Sequence, residues 1–464
     1  MRRHFADSCF GGELIGPTDA GYDDARRVWN AMVDVRPELI VRCGSTVDVV
    51  AAVGVARRCG VFPAVRGGGH NVAGLSMSDG GMTIDLSPMR GVSIDCVREI
   101  ATVQGGVLLA DLDRATADVG LVVPSGVVSH TGIAGLTLGG GFGWLARRFG
   151  LTCDQIQGAE VVLADGTVVE VNADQHADLL WALRGGGGNF GIVTRLELQA
   201  YRFGPNIRIG VALYGPDDAA EALRAVRDAA ATLPDHAAVH AVLLDDVKPA
   251  PFVPAELVGQ RMLMVVAQWL ADPDDAEAFV MLGRLTALGH PTMSTTLVLP
   301  FAAALQTLSD EDFAAGHRYY TKEVHLPDLT DGIIGELLDF WTEQMSMRGE
   351  IEIVQLGGAV ARPPVGGSAF AHRQYPFWLS FSLRWENEAD DSEYIGRVRK
   401  AAQRLEPWLD SGVYANMLNY DEQDRRVDAY GGSERYARLS EIKARYDPGN
   451  LFRRNVNVIP ARER

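Results

Sequence analysis

Hydrophobic and polar positions follow two rhythms along this chain, and clusters of glycine interrupt them. From Ser45 to Gly60 the run STVDVVAAVGVARRCG has helical spacing, capped by Ser45 or Thr46, with Asp48 in the first turn. VFPAVRGGGHNVAG reads as a short buried strand entering a glycine loop, and MTIDLS and ATVQGG read as further strands. Val107 to Gly120 predicts a helix that buries Leu108, Leu112, Ala115 and Val119. AEVVLADGTVVEV, residues 159–171, predicts a hairpin turning at Asp165-Gly166. A helical pattern over Asp174 to Arg184 and the strand FGIVTRLELQAY complete this part.

The glycine clusters stop near Tyr201 to Pro205. From there to about Asn419, strand-like runs (RMLMVVAQWL, IEIVQLGG) alternate with helix-like ones (DDAAEALRAVRDAAATL, DPDDAEAFVMLGRLTALG). That is the pattern of a sheet with helices on one face and the other face free. The last segment carries a helix ended by Asp447-Pro448-Gly449 and then runs out extended. The expected fold class is α+β. No strand-helix unit opens on GxGxxG, so the pattern is not that of a Rossmann fold.

Composition narrows the functions. The chain has 464 residues, 47% hydrophobic and 22% charged, enough for two or three domains with ordinary cores. Sixty acidic against 43 basic side chains give a formal charge of -17, which argues against a nucleic-acid partner. The five cysteines are scattered, with no CxxC pair, so a structural metal site and a disulfide framework are both poorly supported. No apolar run has the length of a signal peptide core or a membrane span, so a cytoplasmic protein without a membrane partner is expected.

Glycine concentrates at Gly67 to Gly69, Gly132 to Gly143 and Gly185 to Gly191, where backbone must turn sharply or approach a ligand closely. RGGGHNVAG, GVVSHTGIAGLTLGGGFGWLARRFGLTCDQI, LLWALRGGGGNFGIVT and YDPGNLF, in this order, closely resemble the FAD-linked oxidases of the vanillyl-alcohol-oxidase superfamily, which share a PCMH-type FAD-binding domain. The nearest branch is similar to the berberine-bridge-enzyme-like and 6-hydroxynicotine-oxidase-like flavoproteins. GGELIG, GVVSHTG and LGGAVAR resemble bacterial members acting on polyketide-type or other secondary metabolites, the enterocin oxygenase-favorskiase among them.

The resemblance implies an FAD-binding domain over 1–204, a substrate domain over 205–419 with an antiparallel sheet covered by helices on one face, and a segment 420–464 that returns to complete the first domain. FAD is the implied cofactor, lying between the two domains. Its pyrophosphate suits the backbone donors of Arg66, Gly67, Gly68, Gly69, His70 and Asn71, although RGGG by itself also reads as a sharp turn. His70 matches the histidine that bonds the flavin 8α carbon; the alternative is a hydrogen-bonded turn histidine. The second, cysteinyl bond of many relatives falls on Val128, and no cysteine lies between Asp118 and Thr152, so a single link and no cysteinyl link are expected. Gly74, Gly132, Gly135, Gly139, Gly140, Gly141, Gly143, Asn189, Gly191, Val193, Asn416, Tyr430, Asn450 and Asn457 complete the implied cofactor site, with Asn450 equally suited to a plain turn.

Candidate catalytic groups are Glu352, Tyr320, His130 and Thr131. Met417 stands where many relatives have a tyrosine base, and a thioether takes no proton. In Glu350-Ile351-Glu352-Ile353, alternation puts both carboxylates on one face, either toward a cavity or toward solvent. Tyr320 offers a phenol, and His130 serves either the flavin ring or a backbone cap. The expected function is an oxidase of a small organic or secondary-metabolite substrate with molecular oxygen as partner, with a homodimer an open alternative to a monomer. Three alternatives stay open: a flavin-N5-oxide oxygenase of a polyketide-like substrate, a dehydrogenase of the same fold with another acceptor, and a non-catalytic flavin-binding or ligand-binding protein.

Overall fold

The computed structural model describes residues 1–6, 8–344, 349–409 and 412–462. Four strands make the first sheet: β1 (Glu13–Ile15), β2 (Leu39–Arg42), β3 (Ala64–Arg66) and β4 (Met82–Asp85), in the order β1-β2-β4-β3. β2 and β3 run parallel to β4. The helix Thr46–Cys59 packs its valine and alanine face on this sheet, with the Ser45 hydroxyl accepting from the Asp48 amide and Gly60 closing it at φ 65°.

Seven further strands follow in chain order: β5 (Val92–Asp95), β6 (Ile100–Gln104), β7 (Leu121–Val122), β8 (Ile156–Val162), β9 (Val168–Asn172), β10 (Ile192–Gln199) and β11 (Tyr201–Arg202). Five of them form the antiparallel sheet β5-β6-β10-β8-β9, and β7 pairs with β11. The hairpin β8–β9 turns at Gly166 (φ 91°) as its sequence requires. The helix after β6 spans Leu109–Ala117 and buries Leu109, Leu112, Asp113 and Thr116. Its buried face is therefore rotated from the one expected: Leu108 precedes the helix, and Val119 lies beyond its end, 40% exposed.

The third sheet comprises β12 (Asn206–Tyr214), β13 (Ala237–Leu244), β14 (Met262–Trp269), β15 (Met293–Pro300), β16 (Arg318–Leu326), β17 (Gly349–Gln355) and β18 (Phe377–Trp385). Their order is β15-β12-β14-β13-β17-β18-β16, antiparallel throughout. Helices Ala219–Ala230, Asp331–Gln344 and Asp391–Leu405 cover one face, packing on Val239, Ala241, Ile351, Ile353, Leu379 and Phe381. The opposite face looks toward the glycine loops of the first two sheets. Between them lies a cavity of about 380 Å³.

Two features tie the sheets together. The buried Arg147 guanidinium donates to the carbonyls of Ala237 (2.8 Å) and Leu356 (2.5 Å) beside the third sheet. The helix Ser433–Tyr446 and the extended tail return to the second sheet. There Asn189 donates to Val456 O (3.1 Å) and accepts from Val458 N (2.9 Å). Lys443, fully buried, pairs with Asp447 (2.6 Å) and also donates to Phe452 O.

Candidate active site

The loop after β3 and the loop before the helix Ile133–Gly139 cross at Gly68 and Gly132. A Cβ on Gly68 would stand 2.2 Å from the Gly132 nitrogen, and one on Gly132 would stand 2.3 Å from the Gly68 nitrogen, so only two glycines allow the crossing. It brings His70 and His130 together, with His70 Nε2 2.7 Å from His130 Nδ1. On its other side His70 stacks on Trp29 (4.7 Å, 18°), which in turn stacks on Tyr319 (4.2 Å). Burial first, and then His130, bring the His70 pKa down to about 3, so its imidazole is neutral near pH 7.

Opposite these loops stands the open face of the third sheet. Pairing aligns Glu323 (β16), Ser380 (β18) and Glu352 (β17) in one cross-strand row facing the cavity. Trp378, Val354 and His240 form the next row. Burial, then Asp312, push the Glu352 pKa up to about 7. Burial and the Glu352 charge raise Glu323 well above the carboxylate range. His240 is held neutral by burial and by Arg147, at about 3, and packs against Trp144 (5.2 Å). Met417 lines the cavity, while Tyr414, three residues earlier, keeps a phenol there that accepts from Gly141 N (2.7 Å) and Asn416 Nδ2 (2.9 Å).

Tyr320 is a correction. It faces the helix-covered side of β16, its hydroxyl donating to Asp421 (2.9 Å) and accepting from Arg399 Nε (3.2 Å), so it does not reach the cavity. Strand alternation explains this: Tyr319, Thr321 and Glu323 share the other face. Glu323 was not anticipated, and only the pairing of β16 with β18 reveals it.

A family model described as the FAD binding domain matches residues 37–172, and one described as berberine and berberine like matches residues 413–459. The (R)-6-hydroxynicotine oxidase of Paenarthrobacter nicotinovorans is 31% identical over 463 residues, 97% of this chain and 97% of that one. The chain belongs to the FAD-linked oxidases of the vanillyl-alcohol-oxidase superfamily, in the berberine-bridge-like and 6-hydroxynicotine-oxidase-like branch. As an FAD-linked oxidoreductase it also shares its fold with solved relatives. The 6-hydroxy-D-nicotine oxidase of Arthrobacter nicotinovorans matches with a TM-score of 0.86 at 27% identity, covering 97% of this chain and 98% of that one. The glucooligosaccharide oxidase of Acremonium strictum, described with 6-S-cysteinyl, 8α-N1-histidyl FAD, matches with a TM-score of 0.82 at 24% identity, covering 97% of this chain and 98% of that one.

The cavity of this oxidoreductase fits FAD on a feature of its own backbone. A Cβ on Gly135 or Gly188 would meet no protein atom within 4 Å, yet both residues line the cavity. Their lack of a side chain leaves room for an occupant rather than for protein packing. Gly67, Gly68, Gly69, His70, Asn71, Val128, Thr131, Gly132, Gly139, Gly143, Gly191, Val193, Asn416 and Tyr430 line the same space. Asn416 lies against Gly139, where a Cβ would meet its Oδ1 at 1.8 Å.

Other expected cofactor residues stand behind this wall. The Arg66 side chain does not reach the cavity: it is buried in an ion pair with Asp85 and donates to Ala25 O (2.6 Å). Gly74 (φ 72°), Gly140 (φ 135°) and Gly141 (φ 78°) are turn positions outside the lining. Asn189 is consumed by the tail, and Asn450 (φ 50°) makes the turn after Asp447. Asn457 also lies outside the lining; Phe452, Arg454, Asn455 and Val456 are the tail residues that face the cavity. An extended tail offers no periodicity by which these neighbours could be chosen in advance. His130 touches His70 rather than the cavity itself.

Proposed function

We propose that this enzyme is an oxidase of a small organic substrate that holds FAD through one bond from His70 and passes electrons to molecular oxygen. The histidine pair carries the reading. With its proton on Nε2, His70 donates to His130 and presents the Nδ1 lone pair, which the neutral ring keeps available. Bound FAD supplies the hydride acceptor and the carbon to which the histidine bonds. Attachment would replace one C–H bond of that carbon by a bond to Nδ1, the two electrons passing to the flavin and on to molecular oxygen, and His130 would take the Nε2 proton so that no positive charge remained on the partly buried His70 ring. Trp29 fixes the plane of that ring. Val128 at the cavity wall has no sulfur, which limits the attachment to one bond.

Residues 1–204 with 420–464 form the cofactor unit in this reading, and 205–419 form the substrate unit. Glu352 removes the substrate proton, since Met417 has no basic atom and a carboxyl whose pKa is about 7 exchanges protons readily near neutrality. Thr131, beside Gly132, orients the flavin edge. Mass measurement of the denatured protein and of its His70 peptide tests the proposal, together with peroxide formed on turnover. FAD mass on that peptide is expected. A yellow protein whose peptide carries no added mass sinks the covalent bond, slow reoxidation in air makes it a dehydrogenase, and absence of flavin removes the reading.

A further inference from the structure

Two side chains from the segment between β15 and β16 reach across to the loop that carries His130. The Asp310 carboxylate accepts from the Ser129 amide (2.7 Å) and from the Ser129 hydroxyl (2.5 Å), gripping the residue next to His130 by backbone and side chain at once. Four residues earlier, the buried Gln306 donates to the Gly126 carbonyl and to Ser125 Oγ (3.3 Å) at the start of the same loop. The segment also holds the other half of the histidine pair. The Phe313 carbonyl accepts from Trp29 Nε1 (2.6 Å), and the Gly316 amide donates to the Trp29 carbonyl (3.0 Å). Trp29 is the ring on which His70 stacks. One stretch, residues 306–316, therefore reaches both imidazoles, and it belongs to the substrate unit.

His130 needs such a hold. Residues 123–131 form neither helix nor strand. Contacts from its own unit hold the carbonyls of this loop: Ser129 O accepts from Ala110 N (2.8 Å) and Thr131 O from Leu109 N (2.9 Å). The Ser129 amide finds its acceptor in Asp310, from the other unit. A bond to a carboxylate is of the strong, charge-assisted kind, so it fixes the backbone beside His130. The contact it protects is sensitive to position, because a hydrogen bond weakens steeply as its angle opens.

We propose that Asp310 is a positioning residue for flavin attachment: by gripping Ser129 it keeps His130 Nδ1 within reach of His70 Nε2, so that both units take part in making His70 reactive. The inference rests on the bond from His70 proposed above. In that step one C–H bond of the flavin carbon gives way to a bond to Nδ1, the two electrons pass by way of the flavin to molecular oxygen, and the Nε2 proton moves to His130. Asp310 touches none of these atoms and acts through His130. It lies outside the cavity lining, so its removal leaves the cofactor surface intact.

The test mixes full-length apoprotein with FAD at several concentrations and follows timed mass spectra of the His70 peptide. Asp310→Ala is expected to lower the limiting rate of attachment about tenfold, the scale of a small misplacement, while the FAD concentration at half that rate stays within about twofold. Asp310→Asn keeps an acceptor for the Ser129 amide and should recover most of the rate. In a His130→Ala background, Asp310→Ala should slow attachment no further, since the two act as one unit. The contact is also read without attachment: in apoprotein labelled with nitrogen-15 histidine, the proton shared by His70 and His130 gives a downfield signal that Asp310→Ala should remove and Asp310→Asn retain. A parental rate or an unchanged shared-proton signal in Asp310→Ala, no recovery in Asp310→Asn, or the same slowing without His130 overturns the proposal. Parent protein that gains no FAD mass strikes the proposed bond itself, and this role falls with it; that failure is distinct because it needs no variant.

Discussion

The most consequential single contact is the one between His70 and His130. Histidines at a glycine loop are legible in sequence as cofactor-facing, but their pairing depends on two loops crossing, 60 residues apart in the chain. The chemistry assigned to them separates cleanly by substitution. His70→Ala is expected to yield protein whose FAD leaves on denaturation. His130→Ala retains the Nδ1 nucleophile but loses the proton acceptor, so attachment of added FAD to apoprotein should slow about 10²-fold or more, the typical worth of a positioned base. Timed mass spectra of the His70 peptide measure it; attachment at the parental rate would remove His130 from the chemistry.

Among elements, the short helix Ile133–Gly139 shows how backbone makes a cofactor surface. Gly135 faces the cavity with nothing from the protein within 4 Å of a built Cβ. Alanine there should stabilise the helix by up to about 1 kcal/mol while obstructing the occupant. Gly135→Ala is thus expected to give apoprotein that melts no lower than the parent apoprotein yet takes up less FAD, measured by absorbance after reconstitution. Full flavin uptake would show that the bare surface is not needed.

The helix Leu109–Ala117 makes a second case. Its buried Asp113 lies beside Gln306 and Asp310, at the seam with the segment preceding β16, and burial brings its pKa up to about 7. Because the folded-state pKa lies above the unfolded value, the proton is bound more tightly in the folded protein. Stability from this residue is therefore full below about pH 4 and is lost as pH rises through 7. Asp113→Asn should flatten the stability curve between those values and raise stability at pH 8 by about 2–4 kcal/mol, checked by urea unfolding across pH. The helix was legible from its spacing; its face was not, because Asp113 and Thr116 occupy core positions and mask the apolar period.

Across the whole molecule, the cavity exists because the tail comes back. Lys443 and Asp447 are both fully buried, and Lys443 also donates to the carbonyl of Phe452, the first of the tail residues that line the cavity. Lys443→Met strands the Asp447 charge and should cost about 3–5 kcal/mol, with loss of flavin at temperatures where the rest of the chain stays folded. Thermal melting followed by flavin fluorescence and by far-ultraviolet dichroism distinguishes the two events. A parental flavin-release temperature would mean that the tail is held by other contacts.

The amino-acid order by itself determined part of the strands and helices, the glycine loops, and the alternation that puts both β17 carboxylates on one face, because local spacing, turn chemistry and a row of opposed isoleucines leave little freedom there. It also carried the family, through four glycine-bearing segments in one order. Tertiary structure alone decided which face of β16 meets the cavity, since period-two alternation separates Tyr320 from Glu323 without saying which side is covered by helices. It decided, too, that Arg66 and Asn189 are consumed by Asp85 and the tail. A polar side chain announces that it needs partners, but only the packed chain supplies them, and whichever groups find none within the protein are left for a ligand.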